Sequence, residues 1–291
     1  MSTMRKTNVR SIDGYLLTLP LVLGCLVLYA LPFLTVIYYS LTKGTGISRR
    51  FVGTEQYISL LGNRVFRLAF GNTMKFLLVA IPLILIIAYA IALLLKNHVQ
   101  RHKGLKSVLL LPYIMPVVGT VILVELLFAE TGQINEALLT LGLPVQDWLN
   151  SAYAFEVVVL LYLWKNTGYA VILLLSGLVT IPEEYYAASN LDGATKLQQF
   201  CYITTPQMWY SVFFAMVFSL INAFKCFREI FVIGGTHPNN SIYMLQHFIN
   251  NSFENLNYPK LAVASVLLMF VLTVFFSVCY RFVMAKEAKR G

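Results

Sequence analysis

The sequence predicts an all-α integral membrane protein with six transmembrane helices and both termini in the cytoplasm. Hydrophobic residues make up 58% of the 291 residues and charged residues only 12%, with a mean hydropathy of +0.71. Soluble domains are about half apolar and a quarter charged. Long charge-free stretches recur along the whole chain, and basic residues concentrate at their ends, which is typical of membrane helices.

The six predicted spans follow from the charge-free stretches. A helix needs roughly 20 apolar residues to cross a bilayer. The spans are about 15–41, 72–95, 107–128, 155–180, 208–234 and 261–284. The first follows three basic residues, as a signal peptide would, but it is too long and lacks a small-x-small cleavage site, so we interpret it as uncleaved. We expect residues 1–291 to form a single transmembrane domain.

Lysine and arginine predict the orientation. With both termini inside, the inner segments carry twelve of them: Arg5, Lys6, Arg10, Lys96, Arg101, Lys103, Lys106, Lys196, Arg281, Lys286, Lys289 and Arg290. The outer segments carry six: Lys43, Arg49, Arg50, Arg64, Arg67 and Lys260. Because cytoplasmic loops are the richer in basic residues, we expect both termini inside and loop 181–207 in the cytoplasm.

Composition and spacing argue against several other functions. The net charge of +9 is explained by membrane orientation, so we expect no nucleic-acid partner. No two cysteines have metal-ligand or redox spacing, and we expect no metal site and no catalytic residue. No glycine-rich phosphate-binding loop is present, so we expect the chain not to hydrolyse ATP itself. Four histidines lie in predicted loops, where we expect them to be solvated: His98, His102, His237 and His247.

The polar loop 181–207 carries helix signals. Pro182 followed by Glu183 and Glu184 is typical of a helix start, because proline needs no N–H partner there and acids favour the positive end of the helix dipole. Gly193 predicts a turn. We therefore expect a helix, a turn and a second helix. Small residues around the turn would let another protein approach closely, while the simpler alternative is an amphipathic connector at the membrane surface.

This loop resembles the cytoplasmic coupling loop of binding-protein-dependent ABC importer permeases, in the maltose-type carbohydrate branch. That loop reads roughly I-P-x-E-x-Y-E-A-A-x-x-D-G-A, followed by I-x-x-P. Ala187 stands where the family has glutamate, and Ser189 where it has alanine. The resemblance implies that ten residues couple the chain to an ATPase: Glu184, Tyr186, Ala187, Ala188, Ser189, Asp192, Gly193, Ala194, Ile203 and Pro206.

Further stretches resemble the same family in chain order. They are FVGTEQY (51–57), FRLAFGNTMKF (66–76), LLPYIMP (110–116), TGQIN (131–135), DWL (147–149), LWKNTGYAVILLLSGLVTIP (163–182) and AFKCFREIFVIGG (223–235). The resemblance implies a type I ABC importer permease fold in a bacterial inner membrane. It also implies a second homologous permease, two ABC ATPase subunits that bind ATP and Mg, an extracytoplasmic solute-binding protein and a carbohydrate substrate. No cofactor is expected on this chain.

Polar residues inside the fourth and fifth spans are candidates for the substrate pathway, because ionisable groups are costly there. Asn222, Lys225 and Glu229 share one helical face. Sugars need hydrogen-bonding groups and aromatic faces, and nine residues offer them: Tyr162, Trp164, Lys165, Asn166, Tyr169, Asn222, Phe224, Lys225 and Glu229. The alternative is a structural Lys–Glu pair that joins the two spans without touching substrate.

The sequence leaves two rival functions open. A membrane-embedded enzyme would use Glu125, Lys165 and Glu229, but no catalytic spacing supports it. An importer for a non-sugar solute, such as a polyamine or an amino acid, is the closer alternative. A polyamine favours an acidic lining, whereas the deep residues here are net basic.

Overall fold

The computed structural model describes residues 11–44, 49–96 and 103–288, with side chains for 14–44, 49–96 and 104–281. Within these ranges, six segments are long and apolar enough to cross a membrane: Gly14–Ser40, Arg64–Leu95, Val117–Thr140, Ala154–Val179, Trp209–Gly234 and Tyr258–Arg281. Some residues used above lie outside the described residues or side chains: Arg5, Lys6, Arg10, His98, Arg101, His102, Lys103, Lys286, Lys289 and Arg290.

The chain divides into two compact units, residues 1–62 with 252–271 and residues 63–251 with 272–291. The first unit contains α1 (Ser11–Cys25), α2 (Leu31–Ser40), β1 (Thr42–Lys43), β2 (Arg50–Phe51), α3 (Glu55–Leu61) and the start of α15 (Tyr258–Ala288). The second contains the rest of α15 and the helices between. These are α4 (Arg64–Leu95), α5 (Lys103–Ile114), α6 (Val117–Phe128), α7 (Gln133–Thr140), α8 (Ala154–Val179), α9 (Glu183–Leu191), α10 (Lys196–Gln199), α11 (Thr205–Gln207), α12 (Trp209–Lys225) and α13 (Phe227–Gly234). The remaining helix, α14 (Leu245–Glu254), begins in the second unit, and its residues 252–254 belong to the first.

In the first unit, a single π-helical turn, Leu26–Ala30, joins α1 to α2. Leu31 N–H donates to the carbonyl of Leu26, one residue wider than an α-helical bond. The irregular turn precedes Pro32, which has no N–H to continue the ladder. Beyond α2, β1 and β2 pair antiparallel, with Thr42 opposite Phe51.

The core of the second unit forms where α4 packs against α8. One face of α4 is fully buried at Ala80, Ile84, Ala88 and Ala92, each with 0% exposure. This four-residue repeat places three alanines on one stripe, and small residues let membrane helices approach closely. The packing explains why α8 is the most buried of the candidate spans.

Two predicted spans are divided in the structure. The prediction placed one helix at 107–128, but α5 ends at Ile114 and α6 begins at Val117. Pro116 causes this break, because it has no N–H and disfavours helical geometry at the residue before it. The predicted span 208–234 is divided only at Cys226, where the Cys226 N–H still donates to the Asn222 carbonyl at 3.0 Å.

The second predicted span begins earlier than expected. Residues 72–95 were predicted, whereas α4 starts at Arg64. Asn63 accepts a hydrogen bond from the Phe66 N–H at 3.0 Å and so caps the longer helix. The first two turns of α4 contain charged and polar residues, so a prediction based on hydropathy did not include them in the span.

Asn135, in α7 near the end of the third apolar segment, organises the loop that leads to α8. It is fully buried, its Nδ2 donates to the Gln146 carbonyl at 2.9 Å, and its Oδ1 accepts from the Trp148 indole N–H at 3.0 Å. A buried amide that bonds through both its atoms fixes the loop around it. The sequence fragments TGQIN and DWL therefore meet in space.

A second buried network surrounds His247 in α14. Its Nδ1 accepts from the Met244 N–H at 3.1 Å, and the rings of Phe227 and Tyr243 lie 4.8 and 5.5 Å from its own. The side chain is 0% exposed, so the prediction that it is solvated is wrong. Thr73 accepts from the Leu245 N–H at 2.8 Å and thereby holds the start of α14 against α4, a tertiary contact invisible in the sequence.

The contact between α5 and α8 depends on Gly168. A Cβ at this position would overlap the carbonyl oxygen of Leu109. We expect Gly168→Ala to lower the thermal stability of the purified chain, by roughly 1–3 kcal/mol. Gly71→Ala is the matched control, because a Cβ there meets nothing within 4 Å. Equal melting temperatures for the two variants would contradict this account.

Because His247 is buried, we expect the stability of the chain to depend on pH. Burial, and secondarily the nearby His237, lower the pKa of His247 to about 4. In the unfolded chain this histidine has its ordinary pKa near 6.5, so the unfolded state binds a proton before the folded state does as the pH falls. The free energy of unfolding therefore decreases between about pH 6.5 and 4, by roughly 3 kcal/mol. Melting temperatures in detergent should fall less steeply over this range for His247→Gln than for the wild type. The exposed His237 supplies the control, because His237→Gln should keep most of the slope.

Candidate functional site

The residues predicted for the substrate pathway meet at a cavity of about 290 Å³ in the second unit. α8 contributes from one side, the α5–α6 break from another, and the junction of α12 and α13 from a third. Six of the nine predicted residues line it: Tyr162, Lys165, Asn166, Asn222, Lys225 and Glu229. The cavity is therefore polar, although its walls belong to apolar spans.

Lys165 and Glu229 form an ion pair across the cavity wall. Lys165 Nζ lies 2.6 Å from Glu229 Oε1, and the two side chains are only 14% and 6% exposed. Lys165 Nζ also lies 3.4 Å from the Thr120 hydroxyl. The pair joins α8 to α13, as the structural alternative required, and both residues still line the cavity.

Tyr162 has a mainly structural position. Its side chain is 0% exposed, its hydroxyl donates to the Ser219 carbonyl at 2.7 Å, and its ring meets Phe76 edge to face at 5.4 Å. Asn166 is 7% exposed and its Nδ2 donates to the Tyr162 carbonyl at 2.9 Å. The Asn166 amide group is thereby held at the cavity wall.

Three predicted pathway residues do not line this cavity. Trp164 is 38% exposed on another face of α8. Phe224 packs against the core. Tyr169 stacks on Tyr113 with ring centroids 4.7 Å apart, and Tyr113 itself is part of the lining.

Sequence reasoning missed the contribution of the α5–α6 break. Tyr113, Met115, Pro116 and Val117 line the cavity because the helix opens at Pro116. The paired prolines of LLPYIMP were the available signal. Leu161, Cys226 and Arg228 complete the lining, and Arg228 could have been included with Lys225 from its spacing of three residues.

The second candidate site is the coupling segment, residues 181–207. α9 begins after Pro182, with Glu183 and Glu184 in its first turn. Gly193 has φ +74°, a conformation that glycine adopts at little cost. Thr195 and Gln198 then form a capping box that starts α10, and a π-helical turn, Phe200–Thr204, leads to α11.

Side-chain bonds hold the two arms of the coupling segment together. The Tyr186 and Thr204 hydroxyls lie 2.9 Å apart. Gln199, only 3% exposed, donates from Nε2 to Ser189 Oγ at 2.9 Å and to Asn190 Oδ1 at 2.7 Å. Sequence reasoning missed Gln199, since nothing in its local pattern marks it as buried. The segment is thus a defined helix–turn–helix unit.

The predicted coupling residues are accessible on this unit. Exposed residues are Glu184, Ala187, Ala188, Asp192 and Gly193, and half-buried ones are Tyr186, Ser189, Ala194, Ile203 and Pro206. Three large apolar side chains of the segment are also exposed: Leu191 at 91%, Tyr202 at 80% and Leu197 at 71%. They lie beyond the ends of the candidate membrane helices.

Known structures share this fold. One chain of a bacterial ABC transporter involved in the import of the acidic polysaccharide alginate matches with a TM-score of 0.80 at 19% identity, over 95% of this chain and 96% of that one. A chain of a bacterial alginate ABC transporter, in complex with an alginate pentasaccharide-bound periplasmic protein, matches with a TM-score of 0.79 at 18% identity, over 93% of each chain. At this identity the likeness is one of fold, and it establishes the predicted permease fold.

Sequence relatives cover nearly the whole chain. The trehalose/maltose transport system permease protein MalF of Thermococcus litoralis is 30% identical over 92% of each chain. The arabinooligosaccharides transport system permease protein AraP of Bacillus subtilis is 28% identical over 89% of this chain and 85% of that one. The lactose transport system permease protein LacF of Rhizobium radiobacter is 28% identical over 86% and 87%.

Residues 80–288 match the family described as binding-protein-dependent transport system inner membrane component. This range includes the cavity and the coupling segment. The description and the six apolar segments place the chain in a bacterial inner membrane as a multi-pass protein. The chain belongs to this family of inner membrane components of binding-protein-dependent transport systems.

Proposed function

We propose that this chain is the membrane-spanning permease subunit of an ATP-driven importer for a carbohydrate. It forms half of the translocation pathway, together with a second homologous permease. An extracytoplasmic binding protein delivers the solute, and two ABC ATPase subunits bind ATP and Mg. The chain itself holds no cofactor in this proposal.

The coupling segment carries the proposal. Exposing Leu191, Leu197 and Tyr202 to water is unfavourable for an isolated connector, and fully burying each would contribute roughly 1.5–3 kcal/mol. A membrane-surface helix would need an apolar face along its length, whereas α9 begins with Glu183 and Glu184 and ends with the polar pair Ser189 and Asn190 before Leu191. A docked ATPase accounts for both the apolar exposure and the internally bonded shape.

The basic residues support the membrane orientation that the proposed function requires. With both termini in the cytoplasm, residues 181–207 lie on the side where ATP is available. Lys96, at the end of α4, lies 4.0 Å from the ring centroid of Tyr186, so the basic end of α4 and the coupling segment occupy the same side. The positive-inside rule favours the cytoplasm for that side.

A carbohydrate cargo is supported by the relatives and by the cavity. MalF, AraP and LacF are named for sugars, and the cavity offers amide, ammonium, guanidinium and carboxylate groups that can bond hydroxyls. The second candidate is an importer of a non-sugar solute such as a polyamine or amino acid. The basic lining disfavours a polyamine, because like charges repel.

The first test is co-purification. We expect the tagged chain, extracted gently from its native membrane, to bring down a second permease and an ATPase. Gly193→Val with Ala194→Leu should abolish recovery of the ATPase, because a β-branched residue is strained at φ +74°. Gly142→Val is the matched control, with φ +72° and open space around its Cβ. A chain that purifies alone in its wild-type form would contradict the proposal.

The second test separates the structural role of the ion pair from a role in transport. Glu229→Gln leaves Lys165 without its carboxylate, and we expect a loss of roughly 3–5 kcal/mol in stability. Adding Lys165→Met should restore most of it. If the pair also belongs to the pathway, the double variant will melt normally yet transport poorly in an uptake assay. Normal uptake by the double variant would leave the pair with a structural role alone.

A further inference from the structure

We propose that the solute carried by this protein bears a negative charge, and that Lys225 and Arg228 bind it in the cavity. The inference rests on the proposed transport function and deepens it, since it names the chemical class of the cargo. An acidic carbohydrate, with a carboxylate, phosphate or sulfonate among its hydroxyls, fits the observations best.

The charges of the lining do not balance. Three cations line the cavity, Lys165, Lys225 and Arg228, against one anion, Glu229. Lys165 and Glu229 neutralise each other at 2.6 Å. Among the described residues, Lys225 and Arg228 form no ion pair. Two positive charges therefore face the cavity without a counter-charge from the part of the chain that the structure describes.

Their place in the chain makes these charges costly. Both lie in the apolar segment Trp209–Gly234, and both side chains are exposed in the single chain. A cation within a membrane span has to face a partner or a water-filled path, because hydrocarbon does not solvate it. A neutral solute that displaced the water would leave both cations desolvated, whereas an anionic group would compensate them.

The two side chains suit an anion chemically. They are three residues apart across Cys226 and line the same cavity. The planar guanidinium of Arg228 offers paired donors that match two oxygens of a carboxylate, phosphate or sulfonate. Lys225 adds a compact positive charge with three donors. Together they form a binding pair for one acidic group.

Glu229 adds an independent observation. The residue is 5% exposed and lines the cavity. Its Oε1 bonds to Lys165, while its buried Oε2 has no hydrogen-bond partner among the described residues. Buried carboxylate oxygens normally accept a bond, and a solute hydroxyl can supply the donor. A ligand with both hydroxyls and a negative charge satisfies Glu229 and the two cations at once.

The test uses the native host with its importer intact. A strain lacking this chain, complemented with the wild-type gene, would receive a mixture of neutral and acidic sugars from starch and pectin hydrolysates, with glucose and glucose 6-phosphate. Mass spectrometry of the medium would show which compounds only the complemented strain depletes. We expect acidic ones. Depletion of neutral sugars alone would overturn the inference and leave the proposed function standing. Depletion of no sugar would contradict the proposed function itself.

Charge-neutralising variants test the two residues. We expect Arg228→Gln and Lys225→Gln each to lower uptake of the acidic compound by about tenfold or more, since each removes a charge-assisted bond. Lys260→Gln, an exposed lysine outside the cavity, should leave uptake unchanged. Co-purification with the second permease should survive in all three. If Arg228→Gln and Lys225→Gln instead lose that subunit, the cations pair with its carboxylates and the inference is overturned.

Discussion

A bilayer supplies no hydrogen-bond partners and little solvation of charge, and this constraint governs the structure. Backbone groups must bond within their own segment, which is why the spans are helices. Polar side chains within them must find partners in the protein. Lys165 and Glu229 do so with each other at 2.6 Å, and Tyr162 bonds the Ser219 carbonyl at 2.7 Å. Polar or charged groups without a partner in the chain therefore indicate the chemistry of the molecules that bind there.

The helices of the second unit pack tightly at some contacts and leave a cavity at another. Small residues on α4 and Gly168 on α8 allow tight helix contacts, whereas Pro116 interrupts the third span and separates α5 from α6. The cavity lies where that interruption meets α8 and the α12–α13 junction. A continuous third helix would present no open turn there. The same proline that breaks a helix thus contributes to a binding surface.

The region around α7 and the coupling segment each contain a buried amide, but their surfaces differ. Asn135 is fully enclosed and ties its loop to Trp148, so that this region is consolidated within the chain. Gln199 fixes the shape of the coupling segment, yet apolar side chains such as Leu191 remain exposed. A rigid unit with an uncovered apolar surface loses little conformational entropy on docking, which suits a part that transmits motion from another subunit.

The sequence by itself determined the membrane class, the number of spans, the family and the helix–turn–helix of the coupling segment, because hydropathy, charge placement and glycine or proline signals are local. It also identified six of the cavity residues, since polar groups in an apolar run stand out. Only the tertiary structure decided that Lys165 meets Glu229, that Tyr162 is fully bonded, and that Trp164 lies away from the cavity. It also revealed the burial of His247 and Gln199. These facts depend on which faces of the helices are in contact. Packing between segments far apart in the chain determines those contacts, and the residue pattern within a single segment does not.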